Sequence, residues 1–126
     1  MIMILGFKEQ FEMPIKKGTK VHSIREDKHN RWKSGILIHF AKGVRTKNYI
    51  NFMLGQCFST QKIKIMYNNI QPCGNTLSVS IDDWELSLNE IERLAINDGF
   101  DSMDDFLNWF DKDFFGKVIH WTDLRY

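Results

Sequence analysis

The segment Gly18-Thr19-Lys20-Val21-His22-Ser23-Ile24-Arg25-Glu26-Asp27 holds the densest run of chemically useful side chains in this 126-residue sequence. A glycine turn delivers Lys20, a hydroxyl follows at Ser23 and a guanidinium at Arg25. Strand side chains alternate with a period of two, so Ser23 and Arg25 share one face. Lys20 falls on the other face unless the turn at Gly18 twists the chain first. A lysine drawn into a partly buried pocket loses charge, because desolvation disfavours the ammonium, and it then accepts protons. A hydroxyl beside such a base becomes a nucleophile. The spacing therefore offers a base, a nucleophile and a cation to orient a substrate. Lys and Ser at a junction between a loop and a strand are more usually solvated.

Other polar side chains add to this set. His22 alternates with Lys20 and Ile24, so it faces away from Ser23, and a lone histidine without an oriented partner reads as structural. His120, in Ile119-His120-Trp121-Thr122, joins the candidate substrate-binding residues, set against a satisfied core histidine. The polar loop Asp27–Ser34 interleaves Lys28, Arg31 and Lys33 with Trp32, the combination that grips single-stranded nucleic acid by phosphate neutralisation and base stacking. Trp32 can also cover the core. Cys57 and Cys73 match no metal-ligand spacing, and no cofactor motif is present.

The elements that must position these residues follow from periodicity. Met1–Leu5 is apolar throughout and reads as a buried strand. Pro14–Gly18 predicts one helical turn with proline at its first position. Thr19–Arg25, Ile36–Phe40, Gln56–Tyr67 and Asn75–Ile81 read as strands, the third carrying the alternation Lys62-Ile63-Lys64-Ile65. Beyond them the period changes. Ser87-Leu88-Asn89-Glu90 is a capping box, and Leu88, Ile91, Leu94 and Ala95 form the stripe of an amphipathic helix closed by Asp98-Gly99. A second helix starts at Ser102 with Phe106, Trp109 and Phe110 as its core face and Gly116 as its stop. Lys117–Trp121 closes the chain as a strand. Together these predict an α+β fold, a small barrel or curled sheet holding the first, middle and last strands, with two helices at one end packing through Leu94 and Phe106.

Length and composition bound the class. At 126 residues, 43% hydrophobic and 26% charged, the chain is expected to form a single globular domain over residues 1–126 rather than a disordered tail or fibrous repeat. No apolar run approaches the ~20 residues of a membrane helix, and Met-Ile-Met-Ile-Leu is too short for a signal-peptide core, so a soluble cytoplasmic protein is expected. The net charge of +1 hides an asymmetry: residues 1–64 carry 13 Lys/Arg against 4 Asp/Glu, and residues 65–126 carry 4 against 12. Such a split either presents a basic face to an anionic partner or lets two halves complement each other within one fold.

Gly18-x-Lys20-x-x-Ser23-x-Arg25, followed by the charged loop and Gly35, resembles the signature of the ASCH domains, relatives of the PUA-like RNA-binding barrels. The runs Leu94–Phe100 and Gly116–Trp121 fit the same family, and the resemblance covers residues 15–40 and 88–126. It implies a PUA-like β-barrel whose cleft is lined by the Gly18–Arg25 strand. Small bacterial members include N4-acetylcytidine amidohydrolases, which use a lysine, a threonine and a glutamate. The lysine matches Lys20, the threonine falls on Ser23 and the glutamate falls at or near Asp98, while Arg25 matches an arginine of the motif. Ser for Thr keeps the hydroxyl, and Asp for Glu shortens the reach by one methylene.

Two functions follow as expectations. One is a module recognising RNA or a modified nucleoside in a basic cleft, bound by Arg25, Lys28, Arg31, Trp32, Lys33 and His120. The other is a small hydrolase on an N-acylated nucleoside, or a nuclease, with Lys20, Ser23 and Asp98 catalytic. Both require Lys20, Ser23, Arg25 and Asp98 to converge, with the Lys28–Lys33 loop at the border of the same cleft.

Overall fold

The computed structural model describes residues 1–70 and 74–126, so Cys73 lies outside the described residues. Among the described residues the order is β1 (Ile2–Gly6), a 3-10 turn (Glu9–Phe11), α1 (Glu12–Lys17), β2 (His22–Arg25), β3 (Leu37–Lys42), β4 (Ile50–Gln56), β5 (Ser59–Ile70), β6 (Gly74–Ile81), β7 (Trp84–Glu85), α2 (Leu88–Asn97), α3 (Met103–Trp109) and β8 (Phe114–His120). The fold is α+β. The strands form two sheets, one of three strands in the order β1-β3-β4 and one of five in the order β2-β8-β5-β6-β7.

This corrects the expectation of a single curled sheet, and the two sheets do not close into a barrel. The first strand pairs in parallel with β3, whereas the last pairs antiparallel with β2 and β5. The expected strand Thr19–Arg25 starts only at His22, because the amides of Thr19 and Lys20 turn back to the Pro14 carbonyl and Val21 N donates to Asn97 O. The amides of residues 19–21 are thereby tied to two helix ends, and only the Val21 carbonyl reaches across, accepting from Trp121 N at 3.5 Å. β4 and β7 were not anticipated. The β4 run Ile-Asn-Phe-Met-Leu-Gly-Gln lacks clean alternation, and β7 is two residues beyond a turn in which Asp82 and Asp83 both have positive φ.

The helices follow their caps. Ser87 Oγ accepts from Glu90 N at 3.3 Å while Ser87 N donates to Glu90 Oε1 at 2.9 Å, the reciprocal box that satisfies two first-turn donors. Ile91, Leu94 and Ala95 turn inward. α1 begins two residues before Pro14, which sits in the first turn where a missing N–H has no intrahelical partner to lose. α3 ends by Phe110, so Gly116 is not its stop. Gly116 lies inside β8, where an added Cβ would sit 2.4 Å from the Arg25 carbonyl oxygen. α2 and α3 pack together, and Leu94 and Phe106 are fully buried in one apolar cluster that also takes in Phe40, Ile65 and Val118 from both sheets. Among the described residues no helix is long and apolar enough to cross a membrane.

Candidate functional site

Lys20 is the residue around which the site is built. It leaves the Gly18 turn, is only 2% exposed, and reaches the far end of α2. Its Nζ donates to the Asp98 carbonyl at 2.6 Å and to Asp98 Oδ1 at 3.2 Å. The carbonyl belongs to the helix C-terminus, where unpaired C=O groups and the macrodipole favour a cation. Lys20 also lies over the rings of Phe11 and Phe7, 4.8 and 5.6 Å from their centroids. Burial pushes the Lys20 ammonium below the ordinary lysine range, and the Asp98 charge offsets part of that shift. Gly99 makes this approach possible: its φ is +92°, and an added Cβ would meet Lys20 Cδ at 2.9 Å.

Ser23 and Arg25 share one face of β2, as the alternation requires. Arg25 Nε donates to Ser23 Oγ at 2.9 Å and a terminal nitrogen donates to Gly6 O at 2.7 Å, while the guanidinium stacks 4.9 Å from the Phe7 centroid. Burial lowers the Arg25 pKa without threatening its charge. Lys20, Ser23, Arg25 and Asp98 all line one cleft of about 500 Å³, so the four converge despite their separation in sequence. Phe7, Phe11, Phe100, Trp109 and Phe114 form much of its remaining wall, with Lys8 and Glu26 at the charged margin. Lys20 and Ser23 are not hydrogen-bonded to each other: Lys20 is held by Asp98 and Ser23 by Arg25.

Behind the cleft runs a buried polar network. His22 Nδ1 lies 3.0 Å from Asp98 Oδ1, and its Nε2 lies 2.6 Å from the Tyr126 hydroxyl, which Asn97 Nδ2 also approaches at 3.0 Å. His120 packs edge-on against His22, its register partner in β8, and its Nε2 meets Gln61 Oε1 at 2.9 Å. Burial, with His22 and Arg125 nearby, lowers the His120 pKa to about 3, and burial raises that of Tyr126 to about 12. His120 is fully buried and does not line the cleft, which corrects its assignment as a substrate-binding residue. Strand pairing turns it onto the inner face beside His22.

The Lys28–Lys33 loop is folded back by Asp27. The Asp27 carboxylate accepts from Arg31 N at 2.8 Å, Trp32 N at 2.9 Å and Lys117 Nζ at 2.9 Å. This tether buries the Trp32 ring in the core, 6% exposed, so it is not presented to a stacking base. Arg31 and Lys33 are exposed and line neither the main cleft nor its neighbour. Lys28 lines the neighbouring cleft of about 520 Å³ with Lys62 and Lys117, and the two clefts share Glu26 and Phe114. The loop therefore stands beside the site rather than at its border.

Among the described residues, no group of three His, Cys, Asp or Glu side chains is placed to hold a metal ion. Trp109, expected as core, is 43% exposed and forms cleft wall beneath Lys8, 5.1 Å from the ring centroid. Phe7, Phe11, Asn97 and Tyr126 were missed. They come from three parts of the chain, the segment before α1, the end of α2 and the C-terminal residue, and the packing of α2 against the Gly18 turn brings them together. The chain matches no protein-family model, curated protein or solved structure.

Proposed function

We propose that this chain is an ASCH-type, PUA-like module that recognises a modified nucleoside, free or within RNA, in the cleft between Lys20 and Trp109. The observation that carries the reading is the convergence of Lys20, Ser23, Arg25 and Asp98 in one aromatic-walled cavity of about 500 Å³. That volume suits a small ligand, and aromatic walls suit the faces of a planar base. Arg25 spends two of its five N–H donors on Ser23 and Gly6, which leaves others for a carbonyl or phosphate oxygen of the ligand. Trp32 and His120, both buried, have no part in this reading, and Lys28 serves only a ligand that extends into the second cleft.

Burial of Lys20 favours a second reading, hydrolysis of an N-acylated nucleoside. Neutral Lys20 takes the Ser23 hydroxyl proton as Oγ bonds the acyl carbon, and that same proton passes from the Lys20 ammonium through the Asp98 carboxylate to the leaving amine nitrogen as the C–N bond breaks. Water then cleaves the acyl-serine. For this, Lys20 must exchange its bond to Asp98 for one to Ser23. Incubation with N4-acetylcytidine, followed by measurement of bound ligand, acetate and cytidine, separates the two readings. Saturable binding without acetate supports recognition, and acetate in amounts equal to cytidine supports hydrolysis. The absence of both binding and turnover rejects the proposal. A nuclease would instead shorten a labelled RNA in a parallel incubation.

A further inference from the structure

His22 entered as a structural histidine, yet its hydrogen bonds run into the cleft. It is fully buried and contacts Asp98 Oδ1, the carboxylate oxygen that also receives Lys20 Nζ. An ionised carboxylate only accepts, so the proton must sit on His22 Nδ1. At the other ring nitrogen, Tyr126 receives an N–H from Asn97 Nδ2 and has one proton of its own to donate. Directed at His22 Nε2, that proton finds an acceptor, and the Asn97, Tyr126 and His22 donors of this network are all paired. The donors then run in one order, from Asn97 to Tyr126 to His22 to Asp98, with Lys20 reaching the same carboxylate from the cleft side.

We infer that His22 is a positioning residue of the cleft, acting through Asp98 to hold Lys20 in place as the ammonium half of a buried charged pair. The inference rests on the reading of the cleft as a ligand site for its functional consequence, but not for its geometry. The groups facing this pair are few. Arg25 approaches Lys20 from β2, His120 packs on His22 from β8, and the Phe7 and Phe11 rings close the remaining side. Arg93 acts on Tyr126, and Arg125 and Asp82 act on His120, one residue removed from the pair. None of them donates to Asp98, so among the described residues Lys20 and His22 are the side chains that hold its carboxylate. Donation from His22 favours the ionised carboxylate and hence the charged form of the pair. Without it, the neutral pair gains ground and Lys20 releases its proton at lower pH.

The test uses nuclear magnetic resonance on the full chain and three forms of residue 22. In the wild type, long-range 15N–1H spectra should show His22 as the Nδ1–H tautomer. The Lys20 13Cε titration should move down by about one pH unit in His22→Phe, the scale expected for losing one hydrogen bond to a charged group. His22→Asn places an amide nitrogen where Nδ1 lies and should restore the wild-type midpoint, although it abandons Tyr126. An Nε2–H tautomer in the wild type would overturn the inference, even if His22→Phe failed to fold. A folded His22→Phe with an unchanged Lys20 midpoint would overturn it as well. These readouts need no ligand. If N4-acetylcytidine fails to bind the wild type while they hold, the functional reading falls and the positioning role stands.

Discussion

At the scale of single residues, the site is governed by what burial does to ionisable groups. Lys20→Met keeps the volume but strands the Asp98 carboxylate in the interior, with His22 as its one remaining side-chain donor. Breaking a buried pair of this kind costs about 3 kcal/mol, measurable by urea denaturation. Adding Asp98→Asn should recover part of that loss, because no unpaired charge then remains buried. His120 supplies a pH test. Its folded pKa of about 3 lies below the ordinary 6.5, so the unfolded chain takes up a proton that the folded chain refuses. The associated stability is complete above pH 6.5 and is lost as the pH falls towards 3. Between pH 6.5 and 4.5, with Glu12 and Glu90 adding to the loss only at the lower edge, His120 should remove about 2–3 kcal/mol. His120→Gln should flatten that slope, and a slope unchanged by the substitution would place the titration elsewhere.

Among the elements, two junctions decide the geometry. The C-terminus of α2 meets the Gly18 turn at Gly99, and β8 meets β2 at Gly116. Gly99→Ala forces a side chain into positive φ and against Lys20, so it should destabilise by at least ~1 kcal/mol and weaken ligand binding together. Ser87→Ala removes the cap at the other end of the same helix. It should cost ~1 kcal/mol in thermal or urea unfolding while leaving ligand affinity unchanged. Equal effects of both variants on binding would show that the helix end is not what sets the site. Much of this was legible in the sequence. The capping box, the Ile91, Leu94 and Ala95 positions of the α2 stripe and the alternation around Ile63 and Ile65 are local patterns that fold as written, whereas Leu88, expected in the same stripe, is 68% exposed. The division into two sheets was not, because pairing of β1 with β3 and of β8 with β2 is a long-range choice that no local pattern encodes. The meeting of Lys20, Ser23, Arg25 and Asp98 was legible through the family-like motif. The placement of Trp32 was not, since one hydrogen-bonding carboxylate, Asp27, turned an interleaved basic loop inward.

For the molecule as a whole, the charge asymmetry has two destinations. Part of it is internal: Lys20–Asp98 and Lys64–Asp83 pair cations of the basic half with acids of the acidic half, while Lys117–Asp27 runs the opposite way. Arg31, Lys33, Arg45 and Lys47 are exposed and lie outside the described ion pairs, so their charges face solvent. If an RNA held at the cleft reaches these side chains, its affinity should fall with salt by ~0.7 log unit per phosphate contact for each tenfold rise. Arg31→Glu with Lys33→Glu should then reduce the slope by ~1.4, without altering the affinity for a free nucleoside. An unchanged slope would confine the ligand to the cleft. The most direct test of the central claim is a titration of the 15N-labelled protein with N4-acetylcytidine, with cytidine as the comparison. The account predicts saturable, single-site shifts centred on Phe7, Lys20, Arg25 and Trp109, stronger for the acetylated nucleoside and abolished by Arg25→Ala. The absence of shifts at millimolar ligand, or shifts centred away from this cleft, would contradict it.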